Sequence, residues 1–287
     1  MRVQNHALTC KYIWGTNFPR EIFSTMNINM HRLLMAHRSI RNYQDRPVES
    51  ELIDRVLEES FQGSSSSGNL NMVSVIKTFD TERKAHLCKL HFDQPMVLQA
   101  PLALTFCADS FRTRQWLTQR GARLNFGNFI SWHVAAFDAI ILAQTSALAL
   151  ESLGMGICYM GTTLHSMAEI AEYLQCPDHC LPVTSMVVGW PAEEPAQRDR
   201  LPGAAWIHNE RYQRPSAGDI DSLFREREVK GWNRYRSMGE DMVKKMDELG
   251  ITSLAQYYTS DMKYAPQAFD RDSLKLRSLL EAKGFLP

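Results

Sequence analysis

His37, Arg38, Ser39 and Arg41 place an imidazole, two guanidiniums and a hydroxyl within five residues. That donor set suits a phosphate, since each guanidinium offers a planar fork and serine adds a short donor. The same spacing also fits a solvated charged turn leading into a helix near Val48. Further on, Ser64, Ser65, Ser66 and Ser67 lie between Gly63 and Gly68, followed by Asn69 and Asn71. Hydroxyls and amides in such a run can cradle a polar ligand, although glycine–serine runs also serve as linkers. A strand pattern starts directly afterwards, at Met72, which favours an ordered loop. Arg198 and Arg200 sit in the polar stretch 193–202 and, taken alone, read as surface loop.

Other patterns are excluded by their context. Gly154, Gly156 and Gly161 superficially resemble a dinucleotide-binding loop, but that fingerprint must join a strand to a helix. Here the glycines follow a long helical stretch, so they are expected to end the helix and let backbone approach something flat. No Ser-His-Asp set, paired carboxylates or zinc-protease pattern stands out, and no catalytic side chain is assigned. An enzyme of this kind works when a cofactor carries the chemistry. Cys176 and Cys180 are close, but a metal site needs further ligands at suitable spacing, and the sequence offers no second cluster. They read as a turn after a helix, with no metal expected. Cys107 and Cys158 fall in apolar runs and read as small buried hydrophobes of a reducing compartment.

Helices and strands must hold these groups. After the break at Arg46-Pro47, the residues Val48, Leu52, Ile53, Val56, Leu57 and Phe61 form one helical stripe that the Gly-Ser run ends. Strands are expected at 72–79, 102–108 and 183–188, the last stopped by Gly189-Trp190-Pro191. Residues 130–153 form a helix that is apolar on nearly every face and therefore central. Ser166 and Glu169 match a capping box for a short helix. From Asp219 onward the chain reads as polar and helical. Elements mixed in this way indicate an α+β sandwich.

Composition limits the functional classes. With 287 residues, 44% hydrophobic and 22% charged, the chain has globular proportions and length for a sizeable core. Lys plus Arg and Asp plus Glu each number 32, so the net charge is zero and non-specific nucleic-acid binding is not expected. Residues 134–153 are interrupted by Asp138, Gln144 and Glu151, so no membrane span is expected. The first residues lack the run of about 7–15 apolar side chains of a secretory signal. A cytoplasmic protein is expected.

Taken in order, seven segments resemble the nitroreductase family of FMN-dependent enzymes. They are residues 37–41 with Asp45-Arg46-Pro47, the serine loop 64–71, Gln94 in Phe92-Asp93-Gln94-Pro95, and Phe106-Cys107-Ala108-Asp109. The others are residues 151–161, Val188-Gly189-Trp190-Pro191, and Arg198-Asp199-Arg200-Leu201-Pro202. The likeness spans residues 31–212. It implies a central, mostly antiparallel sheet flanked by helices, in a homodimer with an FMN in each of two interface pockets. The residues at His37, Arg38, Ser39 and Arg41 then hold the FMN phosphate and ribityl chain, and Arg198 and Arg200 close over the phosphate. Ser64, Ser65, Ser66, Ser67, Asn69, Asn71 and Gln94 line the ring and ribityl chain. Tyr159, Met160 and Gly161 supply the backbone against the ring. The helix at 130–153 then packs across the dimer interface.

The resemblance further implies hydride transfer from NAD(P)H through the flavin to a small-molecule acceptor, a nitroaromatic, a quinone or a free flavin, in a ping-pong sequence. The alternative on the same fold is a flavoprotein with a specialised dehydrogenase or flavin-storage role. Residues 1–30 are expected to be an N-terminal extension, 31–215 the FMN-binding domain, and 216–287 a helical extension of that same domain.

Overall fold

The computed structural model describes residues 29–287; the expected extension at 1–30 lies almost wholly outside them. A short helix α1 (Met30–Ala36) leads into α2 (Ser50–Gly63), whose Ile53 and Val56 are buried as the stripe requires. The sheet has four strands: β1 (Val73–Thr78), β2 (Leu102–Asp109), β3 (Gly156–Met160) and β4 (Cys180–Gly189). Their order is β1-β2-β4-β3, and every neighbouring pair is antiparallel.

β2 is buried along its whole length, which is why its sequence lacks the alternation of a half-exposed strand. Leu102, Leu104 and Phe106 point to one face and pack with α2 and the long helix α6 (Phe129–Ser152). Ala103 and Cys107 point to the other face. There they meet α3 (Thr81–Leu90), α4 (Met96–Gln99) and α7 (Met167–Tyr173). The arrangement is an α+β sandwich with an antiparallel sheet between helical layers. α5 (Phe111–Gln119) follows β2.

α6 is the one described helix long and apolar enough to cross a membrane, and half of its most apolar stretch is buried. Its C-terminus is closed by a paired backbone motif: Gly154 N donates to Glu151 O (3.0 Å) and Met155 N to Leu150 O (3.2 Å). Gly154, at φ +80°, supplies the left-handed residue this motif needs. The glycines thus end the helix as expected. They also open β3, a strand the sequence pattern hides because it is only five residues long.

The capping box expected at Ser166 and Glu169 does not form. Ser166 precedes α7 but donates its own N–H to Thr162 O (3.2 Å), so a tight turn already occupies the position where a cap would extend. A capping box forms instead at Ser216 and Asp219, opening α8 (Ala217–Arg236). α8, α9 (Glu240–Glu248) and α10 (Leu254–Tyr258) share a small core of Met246, Ile251, Leu254 and Tyr257. α11 (Pro266–Ala282) then returns Leu280 and Phe285 to the main core beneath the sheet.

Candidate functional site

Residues 37–44 run along the open end of β3 and β4. Ile40 N donates to Ile157 O (2.9 Å), Gln44 N to Trp190 O (2.9 Å), and Tyr43 bridges to Pro191. Gly156 makes this close approach possible: a Cβ there would lie 2.6 Å from Ile40 Cγ1. The Tyr43 hydroxyl, whose pKa is raised by burial, donates to Ile40 O (2.6 Å). The Glu193 carboxylate accepts from Arg41 N (2.5 Å), Asn42 N (3.0 Å) and Asn42 Nδ2 (2.7 Å), and these bonds hold it below the usual carboxylate range. The backbone that carries the two arginines is therefore fixed independently of their side chains.

His37 Nδ1 lies 2.6 Å from Glu151 Oε1 at the C-terminal end of α6. Burial raises the Glu151 carboxyl, and the bond to His37 opposes that rise. The other oxygen, Oε2, is buried without a hydrogen-bond partner. Arg38 Nη1 pairs with Glu194 Oε1 (2.9 Å), and Arg41 is exposed with its guanidinium at the Ser39 carbonyl (3.4 Å). Ser39 and Arg41 both lower the Cys158 thiol on β3, against burial, which raises it more strongly. His37, Arg38, Ile40, Glu151, Gly156 and Glu193 line a cavity of ≈ 450 Å³. The strap carrying Arg198 and Arg200 is tied to this end: the Gln197 amide donates to Met35 O and to His37 O (3.4 Å). Both arginines are exposed, while Asp199 between them pairs with Arg234 (3.5 Å).

At the other end of β3, Met160 is buried and Gly161 is exposed, with nothing within 4 Å of where a Cβ would stand. Tyr159 OH donates to Gln144 Oε1 on α6 (3.4 Å). Gln94 reaches the same turn, its amide donating to Thr162 Oγ1 (3.4 Å) beside His91 Nδ1 (2.8 Å). Burial lowers the His91 imidazole to about 4. Between its ordinary value of 6.5 and about 4, the unfolded chain takes up a proton that the folded chain refuses. Stability should therefore fall as pH drops through that window, by about 3 kcal/mol in total. His91→Gln is expected to flatten this loss in urea unfolding at pH 7 and pH 4; an unchanged acid dependence would contradict it.

The serine loop is ordered, and a single buried carboxylate on α6 orders it. Asp138 accepts from Ser66 Oγ (2.7 Å), Ser67 N (3.2 Å) and Met72 N (3.0 Å). Ser66 Oγ in turn accepts from Asn71 N (2.8 Å), Ser64 Oγ donates to Ser60 O (2.7 Å), and Asn71 Nδ2 to Asn69 O (3.0 Å). Ser65 is exposed on the same loop. Asp138 and Glu151 are thirteen positions apart, about 20 Å of helix. Within one chain, then, the structure joins His37, Arg38, Ser39 and Arg41 to the Arg198–Arg200 strap, and Gln94 to Gly161, but holds the serine loop away from the arginines.

The sequence alone does not mark Asp138, Glu151, Glu193 and Thr162 as site residues. The signal for the first two was present: a carboxylate inside an apolar, buried helix must find donors.

Residues 34–190 match the nitroreductase family. Over 254 residues the chain is 32% identical to an FMN reductase [NAD(P)H] of Bacillus subtilis strain 168, covering 88% of this chain and 96% of that protein. Among solved structures, a nitroreductase of Bacillus subtilis superposes with a TM-score of 0.72 at 29% identity, covering 90% of this chain and 99% of the other. The NADPH:FMN oxidoreductase of Vibrio harveyi, in complex with NAD+, gives 0.64 at 26% identity, covering 82% and 99%. Arg198 and Arg200 lie just beyond the matched residues. The fold agrees with these likenesses, and the chain belongs to the nitroreductase family.

Proposed function

We propose that two copies of the chain pair through α6 and share two FMN sites, each built from the arginine end of one subunit and the serine loop of the other. The carrying observation is the spacing along α6. Asp138 anchors the loop and Glu151 anchors His37, with an exposed apolar stripe of Phe137, Ile140 and Ile141 beginning beside Asp138 and running toward Gln144. Gln144 lies midway between the two anchors. Antiparallel pairing about a two-fold axis there carries one subunit's serine loop to the partner subunit's His37, which closes the 20 Å gap.

The chain is an NAD(P)H-dependent FMN oxidoreductase. When bound, FMN carries an electron pair from a reduced nicotinamide to an electron-poor acceptor such as a nitroaromatic, a quinone or a free flavin. The residues fit this cofactor in kind. Arg38, Arg41, Arg198 and Arg200 offer forks to a phosphate dianion, and Glu151 turns His37 toward the same cavity. Glu151 Oε2, buried without a partner, is placed to accept a hydroxyl. Gly161 leaves its side of the backbone open to a flat ring. Ser64, Ser65, Ser67 and Asn69 supply hydroxyls and an amide from the loop.

His91, the buried imidazole nearest Gly161, is held neutral above about pH 4 by burial, so it supplies no titration between pH 6 and 8. The described cysteines are all free and buried, which favours a reducing, cytoplasmic setting. Residues 31–215 carry the flavin-binding elements, and 216–287 extend the same domain by returning Leu280 and Phe285 to its core.

One open pocket serves both substrates in turn. Initial rates at several fixed acceptor concentrations are expected to give parallel double-reciprocal lines. Intersecting lines would demand separate sites and overturn the shared pocket. A flavin-loaded protein that oxidises neither nicotinamide would point instead to a storage role.

A further inference from the structure

Three buried cysteines outside the flavin pocket converge on one point. The Sγ atoms of Cys107, Cys176 and Cys180 all lie within 4.8 Å of one another, and the residues are 0%, 7% and 4% exposed. Cys107 comes from β2, on the face away from α6. Cys176 and Cys180 bracket the turn between α7 and β4. Antiparallel pairing aligns Asp109 with Cys180 and Cys107 with Pro182, which sets the β2 thiol beside the start of β4.

The turn itself is rigid. Gln175 (φ 56°) and His179 (φ 60°) are left-handed, and Cys176 N and Cys180 N donate to Ala171 O (2.8 Å) and Pro177 O (3.2 Å). The segment after α11 clamps it from outside. Lys283 Nζ donates to Cys176 O (3.0 Å) and lies 3.7 Å from Asp178, while His179 N donates to Lys283 O (3.0 Å). Three thiols held this way need only small side-chain movements to face a common centre.

We propose that Cys107, Cys176 and Cys180 form a three-thiolate site for one soft d10 cation, zinc or cuprous copper. Soft sulfur ligands select these ions over hard cations. The thiols give up their protons to solvent as they bind, and the Lys283 ammonium beside the turn offsets the negative charge that results. Pro177 and Asp178, between the two turn cysteines, are exposed, so the ion enters from the solvent side of the turn. Copper is satisfied by three sulfurs. Zinc takes a fourth ligand, and water admitted at the same turn can provide it. The bound ion would staple β2 to the α7–β4 turn on the face of the sheet away from α6.

The test uses the full chain with its flavin, reduced and anaerobic, titrated with zinc chloride in one arm and with chelator-buffered cuprous ion in the other. The expected result in at least one arm is one ion per chain, with a higher melting temperature. X-ray absorption should show three sulfur neighbours, at about 2.3 Å for zinc. In the zinc arm a fourth, lighter neighbour from water is expected, and in the copper arm three sulfurs alone. Cys107→Ser and Cys176→Ser should each weaken binding more than about 100-fold, beyond the cost of losing an outer-shell partner. Cys88→Ser, at a buried thiol elsewhere, should leave the stoichiometry intact. The site is overturned by no stoichiometric ion in either arm, by fewer than three sulfur neighbours in the wild-type protein, or by undiminished binding in folded Cys107→Ser. A disulfide among the three in natively isolated protein would overturn it equally.

Discussion

Ile140→Asp, on the proposed pairing face of α6, is expected to give a 32.9 kDa monomer that does not hold flavin. Ile140 is 45% exposed and its neighbour on the stripe, Phe137, is 59% exposed, while the opposite side of α6 is sealed against the sheet. An unpaired carboxylate buried in an apolar interface costs several kcal/mol, and a two-fold interface buries it twice. The dissociation constant for pairing should rise by at least about a thousandfold. Because the substituted side chain faces away from the core, the subunit should remain folded. Sedimentation velocity followed at both protein and flavin wavelengths would read the outcome. A monomer that keeps its FMN would refute the shared site.

Arg41→Ala should weaken FMN binding by about 2–4 kcal/mol, or roughly 30- to 1000-fold, by removing a charged fork from a phosphate dianion. The turn itself should survive, since Glu193 holds the Arg41 and Asn42 backbone N–H groups rather than the guanidinium. Arg200→Ala should cost less. Arg200 lies on a strap tied to the site through Gln197, whereas Glu193 fixes the turn under Arg41, and its guanidinium already donates to the Arg198 and Asp199 carbonyls. Titration of apo-protein with FMN, read by flavin fluorescence, separates the two. An unchanged dissociation constant in Arg41→Ala would remove Arg41 from the phosphate site.

Much of this architecture is legible in the residues. The α2 stripe, β1, β2 and the long α6 announce themselves by period and length, and the structure places each within a few residues of its expected bounds. β3 stays hidden because its five residues lie between glycines whose helix-ending role is real but incomplete. The helices α3, α4 and α5 are short and lack the long apolar repeats that a periodicity argument needs. Ser166 shows the limit of a local motif: the spacing to Glu169 was right, but the preceding turn had already claimed its backbone.

At the site, the density of donors at residues 37–41 suits a phosphate but equally a solvated charged turn, and Arg198 and Arg200 read as surface loop until the family resemblance is drawn. The anchors' partners are not legible either. Asp138 and Glu151 stand far in sequence from the loop and the histidine they hold, and only the packing of α6 reveals what they do. The cysteine cluster is a similar case. Cys107 lies 69 positions before Cys176, so spacing rules for metal ligands never join them, whereas strand pairing does.

The central claim is that electrons pass from a reduced nicotinamide through one bound flavin to a second substrate. Anaerobic spectrophotometric titration tests it most directly, using protein loaded with FMN. The account predicts that about one equivalent of NADH or NADPH per flavin bleaches the visible absorbance, and that a quinone or nitroaromatic added afterwards restores it without further nicotinamide. Retention of full flavin colour under excess of both nicotinamides would contradict it.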